Sequence, residues 1–115
     1  MQYLILIHDD PSAWMAMSEA EMQATMAEYG AFSEELRNAG IMRDGQPLER
    51  PHTAKLVRVR GGATEVTDGP YAETREQLGG YYLVECDTVD EAVAAAAKVP
   101  SARFGTIEVR GIASM

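Results

Sequence analysis

The residues best suited to chemistry sit in the stretch TDGPYAETREQLGGYY, from Thr67 to Tyr82. It places the carboxylate of Asp68 directly before Gly69 and Pro70. Such a carboxylate serves as a general base if it faces a cavity and burial brings its proton affinity towards neutrality. It can equally accept from amides two and three residues on, with Pro70 opening the first turn of a short helix over AETREQL. The second arrangement satisfies the carboxylate without a substrate. A glycine turn before a helix N-terminus is also a geometry that holds phosphate. Here Glu73 and Glu76 follow, Arg75 is the single cation, and neither a Walker nor a dinucleotide fingerprint is present. Tyr29 lies on the inward stripe of a helix, where a buried hydroxyl needs a partner. Asp68, Tyr29 and Tyr71 are therefore the candidate polar lining of a pocket between that helix and a sheet, the alternative for Tyr29 being a core residue.

HDDP, from His8 to Pro11, gathers an imidazole and two carboxylates at the end of a strand. Hard cations take carboxylates and many divalent ions take imidazole. Successive strand side chains point to opposite faces, however, so three in a row rarely converge on one ion. The simpler expectation is a solvated loop in which Asp9 or Asp10 caps the turn at Pro11. No metal site and no cofactor is expected. His52, in the polar ERPHT loop, reads as a surface residue. A nucleophilic cysteine needs a low-pKa thiolate beside a base; Cys86, between Glu85 and Asp87, reads instead as a small core residue. Met15, Met17, Met22, Met26 and Trp14 read as packing, with Trp14 placed to line a pocket mouth or a dimer seam.

These side chains are carried by elements that the patterning makes legible. QYLILIH, residues 2–8, has apolar residues in both alternating sets, the pattern of a central strand covered on both sides. A helix opens at Ser18 with the capping box SEAE, and Met22, Met26, Tyr29, Phe32, Ser33 and Leu36 recur along it until Gly40 closes it. A short extended piece at 41–43 and a turn-rich loop lead to TAKLVRVR, Gly61-Gly62 and ATEVT, a β-hairpin read as an edge feature. GGYYLVEC is a second strand with large groups on both faces. Thr88 and Glu91 start a second helix of small residues that Pro100 ends, and TIEVRGI is the last strand. The order predicts one domain over residues 1–115, a ferredoxin-like α+β sandwich of βαββαβ form with an inserted β-hairpin. Its helices cover one face of the sheet, so the other face calls for a second copy: a homodimer.

Composition sets the outer limits. Apolar residues at 46% and charged residues at 24% belong to a globular protein. Eighteen acids against ten bases leave a net charge of −8, which repels phosphate backbones and argues against direct nucleic-acid binding. The start MQYLILIHDD has only a short apolar run and no basic lead, so neither a signal peptide nor a membrane span is expected. One cysteine fits a reducing, cytoplasmic setting.

The block DGPYAETREQLGGYYLVE, Asp68 to Glu85, resembles the signature of the DGPF family within the YCII-related superfamily. The resemblance extends to YLILIH, to MAEYGAFSEELRNAG and to DEAVAAAAKVPSARFGTIEVR. It implies a dimeric α/β barrel of ferredoxin-like domains. It also implies a link to extracytoplasmic-function sigma-factor pathways, and, in other relatives, small-molecule enzymes using a His–Asp dyad from the first helix. The dyad positions fall at Tyr29 and Asn38, which do not match. Phenol and amide cannot relay a proton near neutrality as imidazole and carboxylate do, so the dyad is not carried over. Two functions remain: a dimeric module that binds a small-molecule ligand or a protein partner, or a small acid–base enzyme with Asp68 as base and Tyr29 orienting a metabolite.

Overall fold

The computed structural model describes residues 1–114. Strand β1 (Gln2–Asp9) leads into a five-residue helix α1 (Pro11–Met15), then the long helix α2 (Glu19–Asn38) and β2 (Met42–Pro47). The hairpin β3 (Lys55–Arg60) and β4 (Ala63–Asp68) follows, then β5 (Gln77–Glu85), helix α3 (Val89–Ala96) and β6 (Thr106–Gly111). Four strands form an antiparallel sheet in the order β2-β5-β1-β6, the ferredoxin-like arrangement; β3 and β4 make a separate two-stranded sheet.

Local chemistry accounts for the element ends. Ser18 accepts from the Glu21 amide at 3.1 Å while the Glu21 carboxylate accepts from the Ser18 amide, so the capping box forms as expected. Ser18→Ala should therefore cost about 1 kcal/mol, read from the urea midpoint. Gly40, at φ 75°, reverses the chain after α2. Gly61 and Gly62 both have positive φ, as a two-residue hairpin turn requires when its twist matches the strands.

The core lies between one face of the sheet and α2 and α3. Tyr3, Ile5 and Ile7 of β1, Tyr82 and Val84 of β5, Phe32 and Leu36 of α2, and Ala92, Ala95 and Ala96 of α3 are all buried. The alanines let α3 approach the sheet closely. Phe32 meets the Tyr82 ring edge-on at 5.1 Å.

The structure departs from the sequence-based expectation in three places. The hairpin does not edge the main sheet: it projects as an arm, with Val57, Val59 and Val66 about 60% exposed, and the radius of gyration reaches 16.1 Å, against about 13 Å for a compact chain of this length. No helix forms over AETREQL. The Gln77 amide bonds the carbonyls of Ala72 and Thr74 instead, at 2.8 and 2.7 Å, holding that backbone out of a helical ladder. The HDDP segment is not a solvated loop: β1 runs through Asp9, and Asp10 caps a helix, α1, that five residues of sequence do not announce. The two faces of β1 differ as the layer order predicts: Tyr3, Ile5 and Ile7 are buried under the helices, whereas Leu4 and Leu6 lie half-buried on the helix-free face.

Candidate functional site

The alternation of β1 sorts HDDP by direction. His8 points to the helix-free face, where its Nε2 lies 3.0 Å from Glu108. Asp10 accepts from the Ser12 amide at 2.9 Å and pairs with Arg75 at 3.3 Å. Asp9 shares the face of Tyr3, Ile5 and Ile7 and is only 6% exposed. The three side chains thus never converge, and among the described residues no three His, Cys, Asp or Glu gather into a metal cluster.

Asp9 borders a cleft of about 600 Å³ between α2, α1, the helix-facing side of β5 and β2, and the segment after β2. One carboxylate oxygen accepts from the indole of Trp14 at 2.8 Å. Trp14 in turn packs against Tyr29 at 6.2 Å and against Phe104 at 5.8 Å. The Tyr29 hydroxyl is hydrogen-bonded to Ser101, which is fully buried, and the Tyr82 hydroxyl meets Ser33 at 2.8 Å. Acceptor-only carboxylate, indole donor and phenol therefore stand around one mostly apolar space, the composition of a small-molecule site.

The cleft has room because the sheet beneath it is glycine-rich between the side chains of Ile7, Asp9 and Tyr82. Gly45, Gly79 and Gly80 form its floor. A Cβ at Gly79 would stand 3.0 Å from the free oxygen of Asp9, and one at Gly45 would press into the Tyr82 ring at 2.6 Å. Met22 and Met26, expected in the core, overhang this unfilled space; the α2 stripe that is fully buried is Thr25, Phe32 and Leu36.

Burial pushes the Tyr29 phenol above its ordinary value, with the Asp9 charge adding to the effect against the opposing Ser101 bond. Tyr29 therefore stays protonated at neutral pH. Its folded-state value lies above that of the unfolded chain, so its contribution to stability is whole below about pH 10 and is lost as pH rises through the folded value. Urea midpoints measured from pH 8 to 11 should fall on the alkaline side, and Tyr29→Phe should flatten that fall.

Of the sequence-derived candidates, Tyr29 lines the cleft; Asp68 and Tyr71 do not. Asp68 ends β4 and pairs with Lys55 at 2.5 Å across the base of the arm, both side chains largely exposed. It caps no turn: the amide of Gly69 bonds Ala54 at 2.8 Å, and Gly69 is required because a Cβ there would fall 2.7 Å from that of Ala54. Tyr71 is 83% exposed. His52 is exposed in a 3-10 turn. Cys86 is buried, and its thiol is pushed up by burial and then by Glu91 and Asp87, so it holds its proton. Asp9, expected only as a turn cap or in a metal shell, is the carboxylate that the fold brings to the cleft. Its signal was parity: position 9 continues the series 3, 5, 7 onto the buried face.

The family model for the YCII-related domain matches residues 1–115. The chain belongs to the YCII-related family. This YCII-related protein is 36% identical over 115 residues to an uncharacterized protein of Rhizobium meliloti (strain 1021), covering 98% of this chain and 93% of that one. Its fold is similar to that of the 5-chloro-2-hydroxyhydroquinone dehydrochlorinase TftG from Burkholderia phenoliruptrix AC1100, solved in complex with 2,5-dihydroxybenzoquinone. The TM-score is 0.56 at 16% identity, over 98% of the YCII-related chain and 94% of TftG. No described helix of the YCII-related protein is long and apolar enough to cross a membrane.

Proposed function

We propose that this protein is a small acid–base enzyme acting on a small molecule in the cleft between α2 and the sheet, with Asp9 as proton acceptor. One observation carries the reading: a carboxylate only 6% exposed, lining an apolar cleft, with one oxygen held by Trp14 and no hydrogen bond from the described residues to the other. A buried charge is costly, and a fold that tolerates one beside an open space is keeping it for a ligand. Tyr29, held protonated by burial, supplies the opposing donor. Asp68, paired with Lys55 outside the cleft, has no part in this chemistry. The ligand complex of TftG, a fold relative, makes an enzyme on this scaffold a natural comparison.

The test is exchange of acidic C–H protons of hydroxy-substituted unsaturated carbonyl compounds into D₂O, followed by NMR. Exchange that needs Asp9 supports the reading. Binding without exchange would make the protein a dead-end binder, the sensing module that a DGPF-type sigma-factor link implies.

The same reading includes a homodimer formed through the helix-free sheet face. Leu4, Leu6 and Leu83 stand half-buried at its centre, with Tyr81 bonded to Asp44 at 2.9 Å, and His8, Glu108 and Arg110 form a polar border. An apolar centre with a paired polar rim is the anatomy of an interface. Leu6→Asp should convert a dimer into a folded monomer in sedimentation at micromolar concentration, with unchanged far-UV circular dichroism.

A further inference from the structure

Building on the reading of the cleft as a small-molecule site, we infer that its ligand is a planar, conjugated hydroxy-acid, with a hydroxyl at Asp9 and a carboxylate at Arg50 across β5. The floor is bare backbone at Gly45, Gly79 and Gly80, and the facing wall of α2 is also small at Gly30 and Ser33. A flat ring gains dispersion contact on both faces in such a slot, whereas a puckered ring of the same formula cannot lie flush with the floor. Glycine also relieves a tight approach at position 80, where a Cβ would fall 3.1 Å from the Gln46 carbonyl.

The polar groups fix the two ends. Asp9 accepts and cannot donate, so the ligand must present a donor to its free oxygen. Arg50 lines the cleft on the segment after β2, whose Leu48 amide bonds the Gly79 carbonyl at 2.9 Å, so β5 lies between it and Asp9 of β1. The side chain of Arg50 makes no ion pair or hydrogen bond with the described residues, whereas Arg37 contacts Glu34 at 3.4 Å. Two strand spacings, about 10 Å, separate the two ends, the reach of one substituted ring with its hydrogen bonds. Planar guanidinium groups suit a carboxylate better than any neutral end.

The full chain is titrated calorimetrically with 4-hydroxybenzoate, while fluorescence of Trp14, the only tryptophan, reports occupancy of the cleft. The comparison ligands are trans-4-hydroxycyclohexanecarboxylate, phenol and tyramine. The flat acid should bind roughly fivefold or more tighter than its saturated counterpart. Arg50→Gln should weaken it about tenfold without moving the melting temperature, as loss of a charge-assisted bond does. Gly79→Ala should weaken it and phenol alike, because the added methyl crowds the free oxygen of Asp9. Equal affinity for flat and saturated acids, a preference for tyramine, or indifference to Arg50→Gln would overturn the ligand class. If tyramine or the saturated acid binds and Asp9→Asn abolishes that binding, the class is wrong and the cleft reading stands. If no probe changes Trp14 fluorescence, both fall.

Discussion

Asp9→Asn will lower proton-exchange activity in the cleft by about 10³-fold, within the range that a positioned acid or base contributes. The substitution keeps the size of the side chain and a carbonyl oxygen for the Trp14 indole, which donates to Asp9 at 2.8 Å. What it removes is the ability to take up a proton and the charge that sets the neighbouring phenol: burial and then Asp9 hold the Tyr29 proton in place. A variant that merely disturbed structure would shift the melting temperature along with activity. The expected result is a folded protein with near-normal melting and lost exchange. Its Tyr29 should also titrate at lower pH, since part of the upward push is gone, and ultraviolet titration of the phenols measures that. Unchanged exchange in a folded Asp9→Asn protein would remove Asp9 from the chemistry.

Ile5→Ala will cost about 4 kcal/mol of stability, the range for deleting a large aliphatic side chain from a rigid core. Ile5 is fully buried at the middle of β1, which pairs on both sides: Tyr82 of β5 stands opposite it on one side and Val109 of β6 on the other. Neighbours held by two ladders cannot collapse into the space left behind, so the transfer and cavity penalties both apply. For a chain of this size that loss lowers the melting temperature by about 15 °C. Val57→Ala is the matching control. Val57 stands 62% exposed on the arm, and its truncation should stay within about 0.5 kcal/mol. Differential scanning calorimetry compares the two directly, and similar losses at both sites would mean that the core is not centred on β1.

The two predictions meet on one strand. Ile5, Ile7 and Asp9 alternate along the same face of β1, and the first two anchor the strand so that the third is held rigidly at the cleft. The carboxylate proposed as proton acceptor, at the end of the most firmly packed strand, is positioned by the core itself. The exposed arm, by contrast, carries Asp68 on a two-stranded ribbon whose residues are nearly all exposed, a poor support for positioning within fractions of an ångström.

What could be read without coordinates was whatever short-range chemistry settles. The Ser18–Glu21 box, the Gly40 reversal, the Gly61-Gly62 turn and the order of strands and helices each depend on residues within a few positions of one another, and each forms as expected. Even the parity that buries Asp9 was present in the spelling of β1, though an acid in HDDP reads first as a loop residue. The missing helix over AETREQL and the five-residue α1 mark the limit of such reasoning: segments this short have marginal helicity of their own, and side-chain contacts such as those of Gln77 and Asp10 decide them. The cleft belongs to tertiary structure alone. Asp9 with its near neighbour Trp14, then Tyr29, Gly79 and Ser101, come from four separate parts of the chain, and they meet only when α2 crosses β5 and the glycines leave space beneath it. Local sequence determines the direction in which a side chain leaves the backbone; packing between elements determines what it meets there, and that meeting turned Asp9 from a solvated acid into the centre of a pocket while leaving Asp68 in water beside Lys55.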